Sequence, residues 1–184
     1  MSSIIFTLET PRLFLQLNSD EDPRASFYSS LNAPKRAHIN SGNEELFFDS
    51  AVESLLFYTS PNPPSNYKII LKESLVKIGI IGFFKWDSER KRGTIGFSLD
   101  KKYRKQGIMT EAARAFIDAW FSTGEISWIE GKCQPDNKAS EKVMINSGMT
   151  LRNVVDEPLF KGSRLYTLNV YGISRSEWLA LRQS

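Results

Sequence analysis

The chain has 184 residues, of which 41% are hydrophobic, and these values predict a single domain over residues 1–184 with a substantial core. The formal net charge of +3 is too small for a general nucleic-acid binder. The single cysteine, Cys133, excludes an internal disulfide, and with a single histidine, His38, no Cys/His metal cluster can form. We therefore expect no metal and no nucleic-acid partner.

The N-terminal segment Met1 to Leu8 lacks the basic region and the small-residue cleavage site of a secretion signal. No apolar run approaches the roughly 20 residues that span a bilayer. These features predict a cytoplasmic protein with no membrane association.

The first third of the chain predicts one strand followed by two helices. Apolar and polar residues alternate over Ile4 to Leu8 and Arg12 to Leu17, which predicts a first strand with a break at Thr10-Pro11. Helical periodicity then predicts helices over Asp22 to Leu31 and Glu44 to Tyr58.

The middle of the chain predicts an antiparallel meander. Three prolines between Ser60 and Ser65 predict a loop, because proline lacks the backbone donor that a helix or a sheet needs. The β-rich runs Tyr67 to Lys72, Leu75 to Trp86 and Thr94 to Leu99 follow, separated by short polar turns.

A basic loop connects the last of these strands to a helix. The segment Lys85 to Lys105 holds eight Lys/Arg and three Asp/Glu, a local balance of +5. From Gly107 the pattern is helical and ends near Gly124. A helix start offers unpaired N–H groups and positive potential, so the loop suits a pyrophosphate that Arg104 could hold bidentately. The alternative is a solvated basic turn. The helix is expected to bury Ala112, Ala113, Phe116, Ile117, Trp120 and Phe121.

A second motif lies downstream of this helix. Trp128 to Cys133 reads as a strand, and Asp136 or Asn137 is a suitable cap for a helix over Ala139 to Asn146. Capping alone explains Asn137, and Ser140 on the first helical turn could be a surface hydroxyl.

These two motifs resemble those of the GNAT N-acetyltransferases. The acetyl-CoA loop of that family reads Arg/Gln-x-x-Gly-x-Gly/Ala between a strand and a helix, and here it stands as Arg104-Lys105-Gln106-Gly107-Ile108-Met109, followed by Thr110-Glu111-Ala112. Met109 replaces the last small residue. The family's N-x-x-S after a strand is matched by Asn137 and Ser140. The opening E-T-P-R-L at Glu9 to Leu13 and the run K-C-x-x-D-N-x-A-S resemble the ribosomal-protein N-terminal acetyltransferases, although we expect the opening only to start the sheet.

The resemblance implies an α/β (α+β) fold with a mixed, mostly antiparallel sheet, helices on both faces and a splayed cleft for acetyl-CoA. Pantetheine would lie along the strand edge at Phe97, Ser98 and Leu99. The residues implied to bind the rest of the co-substrate are Arg104, Lys105, Gln106, Gly107, Ile108, Met109, Thr110, Asn137 and Ser140.

The reaction implied is direct attack of a neutral amine on the thioester. An alkylammonium with a pKa near 10 must first lose a proton. Many relatives carry Glu where this chain has Thr94, so Glu130 on the next strand is the alternative base, unless it is a solvent-facing strand residue. Asn137 and Ser140 are the candidates to assist the leaving thiolate. His38 lies in a connection expected to roof the acceptor site, but a lone loop histidine is usually neither base nor ligand.

The acceptor is expected to be a primary amine, either a peptide N-terminus such as that of a ribosomal protein or a small molecule. The resemblance implies an acceptor mouth formed by Asp22 to Tyr58 and by a hairpin joining Leu151 to Asp156 with Leu165 to Tyr171. Asp156 and Glu157 would attract a cationic amine, or are simply solvated turn carboxylates. Aromatic residues of the first two helices are the further candidates: Phe27, Tyr28 and Phe47.

Two other functions stay open from the sequence. A protein of this fold could hold CoA or an acyl-CoA without transferring the acetyl group, since Thr94 and Met109 depart from the pattern. A small nucleic-acid binder using Lys85 to Lys105 would show steeply salt-dependent binding. The oligomeric state is expected to be a monomer or a homodimer.

Overall fold

A computed structural model describes residues 7–17, 66–158 and 165–183. Eight strands form one sheet in the order β1-β2-β3-β4-β5-β6-β8-β7. The strands are β1 Thr7–Glu9, β2 Leu13–Leu17, β3 Tyr67–Leu71, β4 Val76–Asp87, β5 Arg92–Leu99, β6 Trp128–Cys133, β7 Thr150–Pro158 and β8 Leu165–Ser174. The α-helices are α1 Ile108–Thr123, α2 Lys138–Asn146 and α3 Arg175–Gln183, and a short 3₁₀ helix covers Lys101–Tyr103.

The sheet is antiparallel except where β5 pairs with β6 in parallel, with α1 as the crossover between them. Cross-strand partners share a face and successive residues alternate, so each strand divides between two faces. The face against α1 and α2, here called the helix face, carries Ile95 and Gly131, and a Cβ on Gly131 would lie 2.7 Å from Met144 Sδ of α2. The opposite face carries Thr94 and Glu130. This mixed, mostly antiparallel sheet confirms the fold predicted from the sequence.

An aromatic cluster fixes α1 on the helix face. Phe83 of β4 lies 4.8 Å from Phe116 and 5.3 Å from Trp120 between ring centroids, both with edge-to-face geometry. Such pairs add about 0.5–1.5 kcal/mol each beyond the area they bury. The second half of α1 is therefore held against β4.

The predicted helix boundaries around the two motifs are confirmed to within one residue. Left-handed glycines flank α1, with φ 74° at Gly107 and φ 75° at Gly124, and the six predicted core positions are buried. Asn137 caps α2 by accepting a hydrogen bond from the Ser140 N–H at 3.1 Å.

Two elements differ from the prediction. The N-terminal strand with a break is an antiparallel hairpin, in which Glu9 pairs with Phe14 across the Thr10-Pro11 turn. The helix α3 was not predicted. It begins with a capping box in which Ser174 and Glu177 bond each other's backbone N–H groups.

Several predicted features lie outside the described residues. They are the beginning of the first strand, the two helices over Asp22 to Leu31 and Glu44 to Tyr58, the loop with His38 between them, the proline-rich loop, and the aromatic candidates Phe27, Tyr28 and Phe47.

Candidate active site

A cleft opens between β5 and β6. Their parallel pairing ends at Ile95 and Gly131, but β5 continues to Leu99 and β6 to Cys133. A β-bulge in β4 opposite this point adds local twist to the strand beside β5. Phe97, Ser98 and Leu99 therefore have a strand partner on the β4 side and, within the described residues, none on the β6 side.

The N-terminus of α1 is at the end of this cleft and has no side-chain cap. The Glu111 N–H bonds the Gly107 carbonyl at 3.0 Å, so the amides before it have no partner within the helix. By contrast, Asn137 already satisfies one amide of α2. Of these two helix starts, α1 offers the more complete set of free N–H donors for an anion.

The loop before α1 has a defined conformation. Arg104 donates from Nε to the Leu99 carbonyl at 2.8 Å, and Gln106 donates from Nε2 to the Lys102 carbonyl at 3.0 Å. Lys105 has a positive φ of 61°. Met109 is buried in the core, so its side chain is not on the loop surface and does not obstruct an anion there.

The E-T-P-R-L opening contacts this loop, which the sequence did not predict. Arg12 Nε lies 2.6 Å from Glu111 Oε2, and Arg12 Nη1 donates to the Gln106 carbonyl at 3.0 Å. Thr10 Oγ1 donates to Glu111 Oε1 at 2.6 Å. Partial burial would raise the pKa of Glu111, but the hydrogen bonds from Thr10 and Arg12 outweigh it and lower the pKa. In the sequence, this contact is visible only as the presence of both Thr10-Pro11-Arg12 and Thr110-Glu111-Ala112.

Glu130 lies on the opposite face of the sheet, directly across from Thr94 at the closed end of the cleft. Its carboxylate accepts hydrogen bonds from Trp128 Nε1 at 2.9 Å, Thr94 Oγ1 at 3.4 Å and Arg92 Nη2 at 3.5 Å. Its side chain is 20% exposed, so solvent still reaches it. The structure thus brings Glu130 to the position beside the threonine that replaces the glutamate of many relatives.

Asn137, Ser140 and Cys133 lie at the other side of the cleft. Asn137 uses its side-chain oxygen for the cap, which leaves its amide donors for other contacts. Ser140 makes no side-chain hydrogen bond within the described ranges. Burial, reinforced by the Glu141 carboxylate, raises the pKa of the Cys133 thiol to about 11. The thiol is therefore protonated at neutral pH.

A tyrosine and a glutamate that the sequence did not single out lie next to Cys133. Tyr171 of β8 donates from its hydroxyl to Glu141 Oε1 at 2.6 Å. This hydrogen bond and partial burial raise the pKa of Tyr171 to about 12, so the phenol keeps its proton.

Asp156 and Glu157 point to opposite faces of β7, because successive strand residues alternate. Asp156 accepts a hydrogen bond from Thr167 Oγ1 at 2.7 Å. Glu157 pairs with Lys132 of β6 at 2.5 Å, which puts Glu157 on the face that carries Glu130. The structure separates the two carboxylates that the sequence grouped together.

Comparison with known proteins identifies the family. The sequence matches the Acetyltransferase (GNAT) domain over residues 6–150. It is 24% identical over 171 residues to the uncharacterized N-acetyltransferase YnaD of Bacillus subtilis, covering 93% of this chain and 98% of that protein. It is 30% identical over 103 residues to the ribosomal-protein-serine acetyltransferase of Escherichia coli, covering 56% of this chain and 57% of that protein. The chain belongs to the GNAT acetyltransferase family and is an acetyl-CoA-dependent acyltransferase.

Solved structures share the fold. The GNAT acetyltransferase of Bacillus anthracis has a TM-score of 0.67 at 21% identity and covers 92% of this chain and 99% of its own. The microcin C7 self-immunity acetyltransferase MccE, solved in complex with acetyl-CoA and AMP, has a TM-score of 0.62 at 21% identity, covering 90% and 93%.

Two features of other functional classes are not found in the described part of the chain. It contains no helix long and apolar enough to cross a membrane. It also contains no group of three or more His, Cys, Asp or Glu side chains arranged to hold a metal ion.

Proposed function

We propose that this enzyme transfers the acetyl group of acetyl-CoA to a primary amine, either the N-terminus of a ribosomal protein or a small-molecule amine. The observation that carries the proposal is the loss of β5–β6 pairing beyond Ile95 and Gly131, next to the uncapped start of α1. The match to the ribosomal-protein-serine acetyltransferase of Escherichia coli supports the peptide acceptor. Such an acceptor would place the reaction in the cytoplasm.

In this proposal, acetyl-CoA lies along the cleft. The pyrophosphate binds the N–H groups of the segment Lys105 to Thr110, and pantetheine runs beside the edge of Phe97, Ser98 and Leu99 that faces the cleft. Backbone donors and acceptors on a strand edge suit the two amides of pantetheine, and of those at this edge the Leu99 carbonyl already accepts from Arg104 Nε. The thioester then reaches the gap between Glu130 and the start of α2 at Asn137 and Ser140.

The two proton transfers would occur on opposite sides of the sheet. Glu130 lies on the opposite face and would accept the proton of the incoming amine, directly or through water. Ser140 lies on α2, which packs on the helix face, and its hydroxyl would donate to the leaving thiolate. Because the gap passes between these faces, the amine and the donor approach the thioester from different sides.

The raised pKa of the Cys133 thiol favours direct transfer of the acetyl group from CoA to the amine. A covalent acetyl-enzyme would need a thiolate, and the pKa of about 11 leaves the thiol protonated at neutral pH. Cys133 is also 1% exposed, so an acetyl group on its sulfur would not fit without rearrangement.

The test combines binding with turnover. Acetyl-CoA should stabilise the protein against heat, by about 2.7 kcal/mol at a concentration one hundred times its Kd, because a ligand bound to the native state raises its stability. CoA release should then be measured with ribosomal-protein N-terminal peptides, polyamines, aminoglycosides and amino acids. A lack of stabilisation at millimolar CoA contradicts the proposal. If acetyl-CoA stabilises the protein but no CoA is released with any of the amines, the result would instead support a CoA-binding module.

A further inference from the structure

We propose that Arg12 is a positioning residue for the pyrophosphate loop. Its guanidinium, oriented by Glu111, holds the peptide between Gln106 and Gly107 so that the Gly107 N–H faces the bound anion. This inference rests on the proposed binding of acetyl-CoA at that loop.

The Glu111 carboxylate, itself held by Thr10, orients the Arg12 side chain. Arg12 Nε pairs with Glu111 Oε2 at 2.6 Å, and the Arg12 backbone N–H donates to Glu111 Oε1 at 3.0 Å. Thr10 Oγ1 bonds the same Glu111 oxygen at 2.6 Å, so both carboxylate oxygens are occupied. These contacts leave Arg12 Nη1 to donate to the Gln106 carbonyl at 3.0 Å.

The contact with the Gln106 carbonyl determines the direction of an amide. In a trans peptide the C=O and the following N–H point in opposite directions. Holding the Gln106 carbonyl toward Arg12 therefore directs the Gly107 N–H away from Arg12. It also keeps a carbonyl dipole from facing the anion, which would repel it.

The loop needs such a restraint because its backbone is strained. Lys105 has a φ of 61°, and a non-glycine residue in the left-handed region costs about 1–2 kcal/mol. Gly107, with φ 74°, adds a flexible residue on the other side of the held peptide. Without the bond to Arg12, this peptide can rotate toward less strained conformations.

Arg12 acts here through orientation more than through charge. Its guanidinium is already neutralised by Glu111, whose pKa is lowered and whose carboxylate is therefore ionised at neutral pH. Lys105, Gln106 and Gly107 are exposed, so an anion can reach the loop from solvent.

The test compares two acetyl donors, one that carries a pyrophosphate and one that lacks it. Arg12→Gln should raise the KM for acetyl-CoA about tenfold, the usual loss for a charge-assisted hydrogen bond, and leave kcat unchanged. With S-acetylpantetheine, which lacks the pyrophosphate, kcat/KM should equal that of the wild type. Equal losses with both donors, or no change in the KM for acetyl-CoA, would overturn the inference.

Two further variants keep the test decisive. Lys72→Gln breaks the 2.5 Å ion pair between Lys72 and Glu9, which lies on the same hairpin as Arg12, without touching the loop. It should leave kcat/KM unchanged for both acetyl donors. If Arg12→Gln does not fold, Arg12→Lys keeps the charge but cannot reach Glu111 and Gln106 together, and it should show the same split between donors. A double variant, Arg12→Gln with Glu111→Gln, removes the unpaired carboxylate. If it restores the KM, charge rather than orientation is responsible.

The outcomes separate this inference from the proposed function. Failure of the wild type to bind acetyl-CoA would reject the function itself. Normal binding by the wild type with an unaffected Arg12→Gln variant would reject only the role of Arg12.

Discussion

Gly107 and Gly124 adopt nearly the same left-handed conformation at the two ends of α1, and they provide a matched pair of substitutions. A Cβ on Gly107 would lie 3.7 Å from Arg12 Nη2, and one on Gly124 would have no atom within 4 Å. Neither alanine clashes, so Gly107→Ala and Gly124→Ala should each lower the free energy of unfolding by about 1 kcal/mol through backbone strain.

Only Gly107→Ala should weaken CoA binding, because relief of the strain at φ 74° would rotate the Gly107 N–H, which is proposed to face the pyrophosphate. We expect a loss of about tenfold in affinity, equivalent to ~1.4 kcal/mol, measured by calorimetric titration of CoA. Equal CoA affinities in the two alanine variants would show that the anion does not approach Gly107.

Single residues also show where sequence reasoning succeeds. The sequence predicts helix boundaries at Gly107, at Gly124 and at Asp136 or Asn137, because capping depends on local backbone chemistry that a few neighbouring residues define. The pairing of Glu157 with Lys132 depends on which face of the sheet each residue occupies in β7 and β6, and the sequence does not contain the register of these strands against β8.

The Glu177 carboxylate joins α3 to β7. Arg152 Nη2 donates to both oxygens of Glu177 at 2.6 Å, and the Ser174 N–H donates to Glu177 Oε2 at 2.8 Å. The guanidinium of Arg152 and the Ser174 bonds lower the pKa of Glu177 to about 2.

This lowered pKa predicts how the contribution of Glu177 to stability changes with pH. It should be complete above the ordinary value of 4.5 and decline as the pH falls toward about 2, where the folded carboxyl takes up its proton. Urea unfolding at several pH values should show wild type and Glu177→Gln converging over this range. The control is Glu89→Gln, at an exposed turn where the carboxylate makes no ion pair within the described ranges. A constant difference between wild type and Glu177→Gln across the range would contradict the prediction.

The capping box of α3 stands in the sequence as Ser174-Arg175-Ser176-Glu177, a local signal for the start of a helix. The N-terminal hairpin is a different case. A break at Thr10-Pro11 fits both a kinked strand and a turn, and only the pairing of Glu9 with Phe14 distinguishes them. That pairing depends on the whole sheet edge.

The amine acceptor enters the cleft from one face of the whole sheet, and substitutions of the two carboxylates of β7 test which face that is. Glu157 lies on the face of Glu130, so Glu157→Gln leaves the Lys132 charge unopposed there and should repel a cationic amine. A unit charge about 8 Å away in water contributes ~0.5 kcal/mol, so the acceptor KM should rise about twofold.

Asp156→Asn makes the same change of charge on the other face and should leave the acceptor KM unchanged. High salt should reduce the difference between the variants, because it screens exposed charges. A larger effect from Asp156→Asn would mean that the amine enters from the helix face.

The contact between Arg12 and Glu111 joins positions 99 residues apart. A loop sequence copied without the N-terminal hairpin would therefore carry the residues of the anion site but lack the partner that shapes it. During folding, the crossover from β5 through α1 to β6 closes over a short stretch, whereas docking of the hairpin requires closure of a much longer one. We expect strands β3 to β8 to assemble first, and the chain to gain its capacity to hold the co-substrate last, when the hairpin docks on β3 and meets the loop.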